Sequence, residues 1–257
     1  MIERLWPLVA ALLLGSLAQA AEPAADADGF KRPLEHLQFN SGHEQHEFER
    51  ASLAILDVRD PWERWNRRVY HFNYRFDEWV LLPAVRGYRA VTPGVVRSGV
   101  RNFFANLAEI PSLLNSLLQL RGRRALDTSA RLLLNTTLGV AGLWDPASRM
   151  GLPRQGEDFG QTLGVYGVPA GSYLMLPVLG PSNLRDAVGQ LADFLAANRI
   201  DYLNVATASD DHPEIFALKA VDKRDSIPFR YGQLNSPFEY NKIRYVYTRA
   251  RQLQIEE

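Results

Sequence analysis

The chain has 257 residues, 46% of them hydrophobic and 23% charged, and its formal net charge is zero. These values indicate a globular protein with a core and exclude a disordered or fibrous chain. Cysteine is absent, which excludes disulfides, thiolate metal sites, a cysteine nucleophile and an acylated N-terminal cysteine.

The first 20 residues have the pattern of an export signal. Residues 5–17 are apolar or small, follow Arg4, and run into Ala-Gln-Ala at 18–20, which is the small-x-small pattern of a signal-peptidase site. We therefore predict that 1–20 is a cleaved signal peptide and that the mature chain begins at Ala21. An uncleaved anchor is the disfavoured alternative, because the apolar run is too short to cross a bilayer core of about 30 Å.

Residues 21–57 contain eight Asp or Glu against three Lys or Arg, which predicts a mobile acidic lead-in. Residues 58–257 are predicted to form a single helical domain. Within 59–154 all fifteen cations are Arg, which favours forked bonding to phosphate or carboxylate. A GC-rich genome would produce the same bias, so both explanations stay open.

The first helix of the domain begins at Asp60-Pro61-Trp62-Glu63, where an N-cap Asp, a Pro at the first position and a Glu three residues later complement the helix start. Apolar residues then recur at spacings of three and four over six turns. We favour a buried core face, with Phe72 as one core residue; the alternative is an aromatic belt at a lipid–water boundary. The residues of this face are Trp62, Trp65, Val69, Phe72, Phe76, Trp79 and Pro83.

Two further helices are predicted before a glycine-containing turn. One runs from Arg97 to Leu120 and is kinked or divided at Pro111. The next covers 127–138, after which Gly139 and Gly142 interrupt an apolar run. The apolar faces at 103–118 and 132–144 are long enough to embed in one membrane leaflet.

Residues 159–184 carry no formal charge but contain five glycines and three prolines. Such a segment is predicted to be irregular and apolar, because Gly and Pro interrupt a continuous helix. Irregular apolar backbone must pack in protein or line a cavity, since its polar groups have no partners in lipid. An amphipathic helix should follow from Leu184 with Ser182 as its cap, then helices near 214–225 and 240–254. The predicted fold class is all-α.

The sequence shows no recognisable catalytic centre. It contains no G-x-S-x-G elbow, phosphate-binding glycine loop or dinucleotide fingerprint. His43 and His46 fail the H-E-x-x-H spacing, so no metal site is predicted. We predict no catalytic residue and no cofactor. Nucleic-acid binding is disfavoured by the export signal and by the lack of a basic stripe with stacking aromatics.

Four long segments closely resemble the MlaA family, also called VacJ, and they occur in the family's order. The resemblance runs from Asp57 to about Gly189 and resumes more weakly over 237–249. The segments are DPWERWNRRVYHFNYRFDEWVLLPAVRGY (60–88), VRNFFANLAEIPSLLNSLLQ (100–119), RLLLNTTLGVAGLWDPASRMGL (131–152) and FGQTLGVYGVPAGSYLMLPVLGPSNLRDAVG (159–189).

The resemblance implies a ring-like bundle of amphipathic helices with a central amphipathic channel. It also implies a non-enzymatic role: phospholipid misplaced in the outer leaflet of the outer membrane is removed and passed to a periplasmic carrier of the Mla pathway. The implied partners are phospholipid, a trimeric outer-membrane porin and that carrier. The family is typically a lipoprotein, but because this sequence lacks cysteine we predict a protein without a lipid anchor, in the inner leaflet of the outer membrane and facing the periplasm.

The candidate site has two parts. Apolar residues of two segments are expected to line or gate the lipid channel: Leu138, Gly139, Val140, Gly142, Leu143, Trp144, Leu163, Tyr166, Tyr173 and Met175. Nearby arginines are expected to contact the headgroup: Arg121, Arg123, Arg124 and Arg131. For the dense cluster at 121–124, a role as a helix C-terminal cap that also aids solubility stays open as the alternative. The competing hypothesis is a lipid-modifying hydrolase of the envelope, which would need a base such as His71 or His212 beside a nucleophile.

Overall fold

The computed structural model describes residues 58–234 and 236–256. The predicted signal peptide, the acidic lead-in and the His43/His46 cluster lie outside the described residues. The all-α prediction is confirmed, apart from one two-stranded antiparallel hairpin. The helices are α1 (Glu63–Phe76), α2 (Leu82–Val91), α3 (Gly94–Leu107), α4 (Glu109–Leu118), α5 (Gly122–Thr137), α6 (Pro146–Arg149), α7 (Phe159–Val165), α8 (Leu184–Ile200), α9 (Val205–Asp211), α10 (Pro213–Ser226) and α11 (Glu239–Glu256); the strands are β1 (Tyr173–Leu176) and β2 (Gly180–Asn183).

The start of α1 differs from the predicted one, because the helix begins at Glu63 and Trp62, not Asp60, is its N-cap, without a side-chain cap. The Asp60 carboxylate accepts the backbone N–H of Trp62 at 3.2 Å in the turn before the helix. A π turn at Asp77–Leu81 joins α1 to α2. Pro83 follows this turn within α2. Pro has no N–H to donate, and its ring crowds the preceding turn of a helix. The wider π turn accommodates Pro83 at the point where the regular α-helical hydrogen-bond pattern would be interrupted.

The predicted helix from Arg97 to Leu120 is divided, with α3 ending at Leu107 and α4 beginning at Glu109. The break lies at Ala108, three residues before Pro111. Pro111 removes the hydrogen bond to the carbonyl of Leu107 and crowds it, which accounts for the position of the break.

Part of the segment 159–184 is more regular than its composition predicts. It forms α7 and then the β1–β2 hairpin, in which Tyr173 faces Asn183 and Leu176 faces Gly180. The predicted cap is also wrong: Asn183, not Ser182, caps α8 by accepting the Asp186 backbone N–H at 2.8 Å.

The free edge of β1 is satisfied by two asparagines of α1. Asn66 donates to the Tyr173 carbonyl at 3.1 Å and accepts the Met175 N–H at 2.8 Å. One heptad further, Asn73 donates to the Leu176 carbonyl at 2.9 Å. An apolar strand can therefore lie buried without unpaired backbone groups.

The interior of the helical bundle is unusually polar. The largest fully buried side chains include Arg131, Gln161, Glu109 and Asn66, whereas many large apolar side chains are exposed. The cluster of buried hydrophobic residues is small: Val69, Tyr70, Tyr173, Met175 and Tyr240. This distribution reverses the usual order of a protein in water.

The favoured interpretation of the aromatic face of α1 is therefore wrong. Phe72 is 49% exposed and Trp79 is 69% exposed, while Asn66 and Asn73 face the interior from the same helix. The inward face of α1 combines these two amides, which pair with the hairpin backbone, with Val69 and Tyr70 of the buried cluster. Trp65, Phe72 and Trp79 are left on the outer surface.

Two close contacts hold the middle of the fold together. Gly160 of α7 lies against Gly189 of α8 so closely that a Cβ at position 189 would come within 2.3 Å of the Gly160 nitrogen. Arg251 of α11 binds Asp158 at 2.7 Å and Asp186 at 2.8 Å. Within residues 58–234 and 236–256, no helix combines the length and apolar character that a membrane crossing requires.

Candidate functional site

The predicted gating residues 138–144 form a compact turn directly after α5. Its backbone closes on itself, because Gly142 donates to the Asn135 carbonyl at 2.7 Å and Trp144 donates to the Gly139 carbonyl at 2.9 Å. Val140 and Ala141 hold φ values of 52° and 56°. Two consecutive non-glycine residues in the left-handed region store strain, which is typical of functional segments.

The two glycines of this turn are required by space as well as by conformation. A Cβ at Gly139 would lie 2.3 Å from the Asn135 and Trp144 carbonyl oxygens. Gly142 has a φ of 88°, and a Cβ there would lie 2.5 Å from the Asn106 Cβ. The sequence predicts these glycines as flexible points of a gate, whereas in the structure both are closely packed.

The apolar side chains of the turn point outward. Val140 is 67% exposed, and Leu138, Leu143 and Trp144 are each about half exposed. Together they make an apolar surface around a rigid backbone loop. Such a surface suits contact with acyl chains.

A buried charge network supports the turn from below. Arg131 of α5 donates to Glu109 at 2.7 Å and to the Leu152 carbonyl at 2.6 Å, and it contacts Asp145 at 3.3 Å. Burial raises the pKa of Glu109 despite the bond from Arg131. Although burial opposes it, hydrogen bonds from Ser148 and the charge of Arg131 lower the pKa of Asp145 to about 2.

This network corrects one predicted headgroup contact. Arg131 is fully buried and ion-paired, so it cannot meet a headgroup at the surface. Its ion partner Glu109 lies more than twenty residues earlier in the chain, and sequence spacing does not indicate this pairing. The role of Arg131 is to hold α4, α5 and the start of α6 together.

The Arg121–Arg124 cluster is also largely committed to protein partners. Arg121 and Arg124 both bind the buried Glu157, and Arg121 donates to the Ile255 carbonyl at 3.0 Å. Arg123 is exposed beside a cavity of about 360 Å³ that Gly151, Leu152 and Pro153 also line. Of the four predicted headgroup contacts, Arg123 alone is exposed.

The lining residues predicted in 159–177 do not lie together. Leu163 is half-buried, and Tyr166 is exposed and donates from its phenol to the Leu118 carbonyl at 2.6 Å. Tyr173 and Met175 lie in the buried hydrophobic cluster. These two residues therefore pack the hairpin onto α1 and α11 and do not line an open path.

A second group of arginines was not singled out by the sequence. Arg89 of α2 and Arg97 and Arg101 of α3 converge on the buried Asp225 of α10. Burial raises the pKa of Asp225, but the hydrogen bond from Arg89 and the three positive charges lower it below its usual value. The spacing of Arg97 and Arg101 by one helical turn is the signal that could have indicated a shared partner.

The two histidines considered as bases for a hydrolase are both exposed. His71 is exposed on α1 and contacts the Tyr70 ring edge-on at 5.8 Å. His212 is exposed, with its Nδ1 2.9 Å from Glu214. In the part of the chain that the structure describes, no group of three or more His, Cys, Asp or Glu side chains could hold a metal ion.

The comparisons with known proteins agree with the resemblance noted from the sequence. Residues 58–254 match the family model described as "MlaA lipoprotein". A chain from a structural study of the maintenance of bacterial outer membrane lipid asymmetry superposes with a TM-score of 0.65 at 32% identity, over 77% of this chain and 100% of that chain. The similarity therefore extends to both sequence and fold.

Relatives occur in several bacteria. An uncharacterized protein of Rickettsia felis is 36% identical over 209 residues, which is 80% of this chain and 82% of that protein. The proteins named "Intermembrane phospholipid transport system lipoprotein MlaA" in Shigella flexneri and Escherichia coli are each 37% identical, over 53% and 52% of this chain and 56% and 55% of their own lengths.

These names correct the predicted mode of membrane attachment. The family model and both named relatives are described as lipoproteins, which contradicts the prediction of a protein without a lipid anchor. That prediction rested only on the absence of cysteine from the sequence. The predicted location at the outer membrane agrees with the comparisons.

Proposed function

Because the chain belongs to the MlaA lipoprotein family, we propose that it is a non-enzymatic component of phospholipid transport at the outer membrane. The observation that carries this proposal is the reversed distribution of side chains. Ionised and amide groups are paired inside the bundle, and large apolar groups cover much of its exterior. A protein with such a surface is suited to lie among acyl chains.

The proposal also covers the direction of transport and the partners. We propose that phospholipid misplaced in the outer leaflet is taken up and handed to a periplasmic lipid carrier, and that the protein binds a trimeric outer-membrane porin. Two structural features support non-enzymatic transfer of the phospholipid. The described residues form a rigid polar frame, and the apolar 138–144 turn projects from it beside the exposed faces of α3 and α5.

We place the 138–144 turn beside the lipid path, as part of the lining of a central amphipathic channel. Asn102 of α3 donates to the Leu143 carbonyl at 3.2 Å, and Gly99 of the same helix packs against Leu143. These contacts fix the backbone of the turn while leaving the Val140 side chain exposed to meet acyl chains.

A lipid-transfer assay tests the proposal. Purified full-length protein is added to donor vesicles that contain a fluorescent phospholipid, and transfer to acceptor vesicles is followed. Val140→Asp should reduce transfer at least tenfold, because a carboxylate desolvated among acyl chains costs several kcal/mol. The side chain is exposed, so the fold should be retained, which circular dichroism checks.

Leu126→Asp is the matched control, because Leu126 is equally exposed and apolar but lies in α5 outside the turn. It should lower vesicle binding to the same extent as Val140→Asp and leave transfer per bound molecule unchanged. If wild-type protein transfers no phospholipid, the proposed function is wrong. If transfer per bound molecule falls equally in both variants, the 138–144 turn does not line the lipid path.

A further inference from the structure

Three arginines from two neighbouring helices share one buried carboxylate. Arg97 Nη1 lies 3.2 Å and Arg101 Nη2 lies 3.0 Å from the Asp225 Oδ2, and Arg89 Nε donates to the Oδ1. The Asp225 side chain is only 1% exposed, whereas Arg89 and Arg101 remain 49% and 42% exposed. One carboxylate therefore holds three guanidinium groups that still reach the surface.

The charge of this cluster is not balanced by its acidic neighbours. Asp222 lies one turn earlier on α10, is buried, and accepts a hydrogen bond from the Tyr88 phenol at 3.3 Å. Burial raises the pKa of Asp222, so its negative charge is the more easily lost of the two. Even with both carboxylates ionised, the three arginines leave a net positive charge.

Two buried donors of the cluster lack an acceptor. The Nε atoms of Arg97 and Arg101 are buried and have no hydrogen-bond partner in residues 58–234 and 236–256. An unsatisfied buried donor on a charged group is unfavourable. An oxyanion that accepts from the exposed parts of the Arg89 and Arg101 guanidinium groups would balance the excess charge of the cluster.

Arg89 and Asp225 of the cluster line a cavity between α2 and the end of α10, while Arg97 and Arg101 reach Asp225 from outside its lining. The volume of the cavity is about 230 Å³. Leu82, Val85 and Ile227 line the apolar part, and the polar part is lined by Arg89, Arg224 and Arg230 together with the Asp225 carboxylate. This lining fits a phosphate group attached to an organic chain better than a free phosphate ion.

The surface next to the cluster is suited to lipid. Val91 and Val95, at the junction of α2 and α3, are 81% and 86% exposed. Arg89 and Arg97 lie within two residues of them. Guanidinium groups beside strongly exposed valines match the boundary between headgroups and acyl chains, where Arg binds phosphate and apolar groups enter the acyl layer.

We propose that Arg89, Arg97 and Arg101 form a binding site for the phosphodiester group of a phospholipid, with Asp225 holding the arginines in position. The forked donors of Arg suit phosphate oxygens. This inference rests on the proposed function and deepens it by naming a headgroup site. By helical spacing, Arg97 and Arg101 lie on the side of α3 opposite Gly99 and Asn102, so α3 separates this site from the 138–144 turn.

Binding of a soluble phospholipid tests the site. Full-length protein in detergent is titrated calorimetrically with short-chain dihexanoyl-phosphatidylglycerol below its micelle concentration, and separately with inorganic phosphate. Arg97→Gln/Arg101→Gln should weaken lipid binding at least tenfold, because charge-assisted hydrogen bonds are lost. Arg89→Gln should give a smaller loss and keeps two arginines on Asp225, so it serves if the double variant does not fold.

Arg64→Gln/Arg68→Gln is the charge-matched control, because it removes two exposed arginines of α1 and should leave lipid binding unchanged. Equal binding by wild type, Arg89→Gln and the double variant would overturn the site. So would a loss of inorganic phosphate binding with unchanged lipid binding, which would assign the arginines to free phosphate. A wild-type protein that binds the soluble lipid but transfers none between vesicles would reject the proposed function and leave the site intact.

Discussion

At the scale of single residues, the 138–144 turn depends on a glycine that meets two separate requirements. Gly142 has a positive φ and its α-carbon packs against the Asn106 side chain. Asn106 is itself buried and donates to the Thr136 hydroxyl at 3.0 Å. A side chain at position 142 would disturb both the turn and the α3–α5 contact behind it.

We predict that Gly142→Ala destabilises the protein more than Gly167→Ala. Both glycines have φ above 80°, but a Cβ at Gly167 would meet nothing within 4 Å. The conformational cost common to both is about 1 kcal/mol. Displacing Asn106 adds roughly 1–3 kcal/mol at position 142 alone.

Denaturant unfolding in detergent, followed by circular dichroism, measures the two free energies of unfolding. The difference between the variants isolates the contact with Asn106, since the backbone requirement is shared. Equal losses of stability would show that the neighbouring helix gives way and that the turn is not locked against α3.

The residue scale is also where the sequence was least informative. It singled out Arg131 by its position near an apolar turn, but the acidic partner Glu109 lies on another helix. The group on Asp225 was missed for the same reason, because its arginines come from α2 and α3 and the carboxylate from α10. Which cations pair internally and which reach the surface is decided by tertiary packing.

At the scale of elements, helix positions were largely predictable. The three-to-four spacing placed α1, α8, α10 and α11 close to their observed ranges, whereas α5 begins at Gly122, five residues before the predicted start, and the caps predicted for α1 and α8 are wrong. The β1–β2 hairpin was not predicted, since its edge is satisfied by Asn66 and Asn73 from a distant helix. The spacing of the aromatic residues identified a face of α1 but not its direction, because periodicity does not distinguish burial in protein from burial in lipid.

We predict that Phe72→Gln/Trp79→Gln weakens binding to phospholipid vesicles without unfolding the protein. Both side chains are exposed, so their loss leaves no internal cavity, contrary to the expectation from a core position. Removing this apolar area from the membrane contact should cost roughly 3 kcal/mol, about a hundredfold in partitioning. Vesicle flotation measures partitioning, and thermal melting monitors the fold.

Leu253→Gln is the control for this pair. Leu253 is about as exposed as Phe72, but its neighbours Gln252 and Gln254 on α11 are polar. Its replacement should leave flotation unchanged. A lower melting temperature of the double variant, with unchanged flotation, would show that the aromatic face of α1 packs in the protein core and does not contact the membrane.

At the scale of the whole molecule, the polar interior and apolar exterior have one physical explanation. Ion pairs such as Arg131–Glu109 and Arg251–Asp186 lie inside, where close partners satisfy them. Leu126 and Leu133 lie outside on α5, one heptad apart. The arrangement is unfavourable in water alone but suits a bundle whose outer surface meets acyl chains on one side and water on the other.

Site-directed spin labelling distinguishes these two environments. Because the sequence contains no cysteine, single cysteines can be introduced and spin-labelled at Leu126 and Leu133 of α5 and at Glu214 and Gln252 of α10 and α11. In phospholipid vesicles, labels at 126 and 133 should collide mainly with oxygen, which concentrates in the acyl layer, and labels at 214 and 252 mainly with a water-soluble nickel chelate. The contrast should disappear in denaturant. Similar nickel accessibility at all four positions in vesicles would mean that α5 does not face lipid.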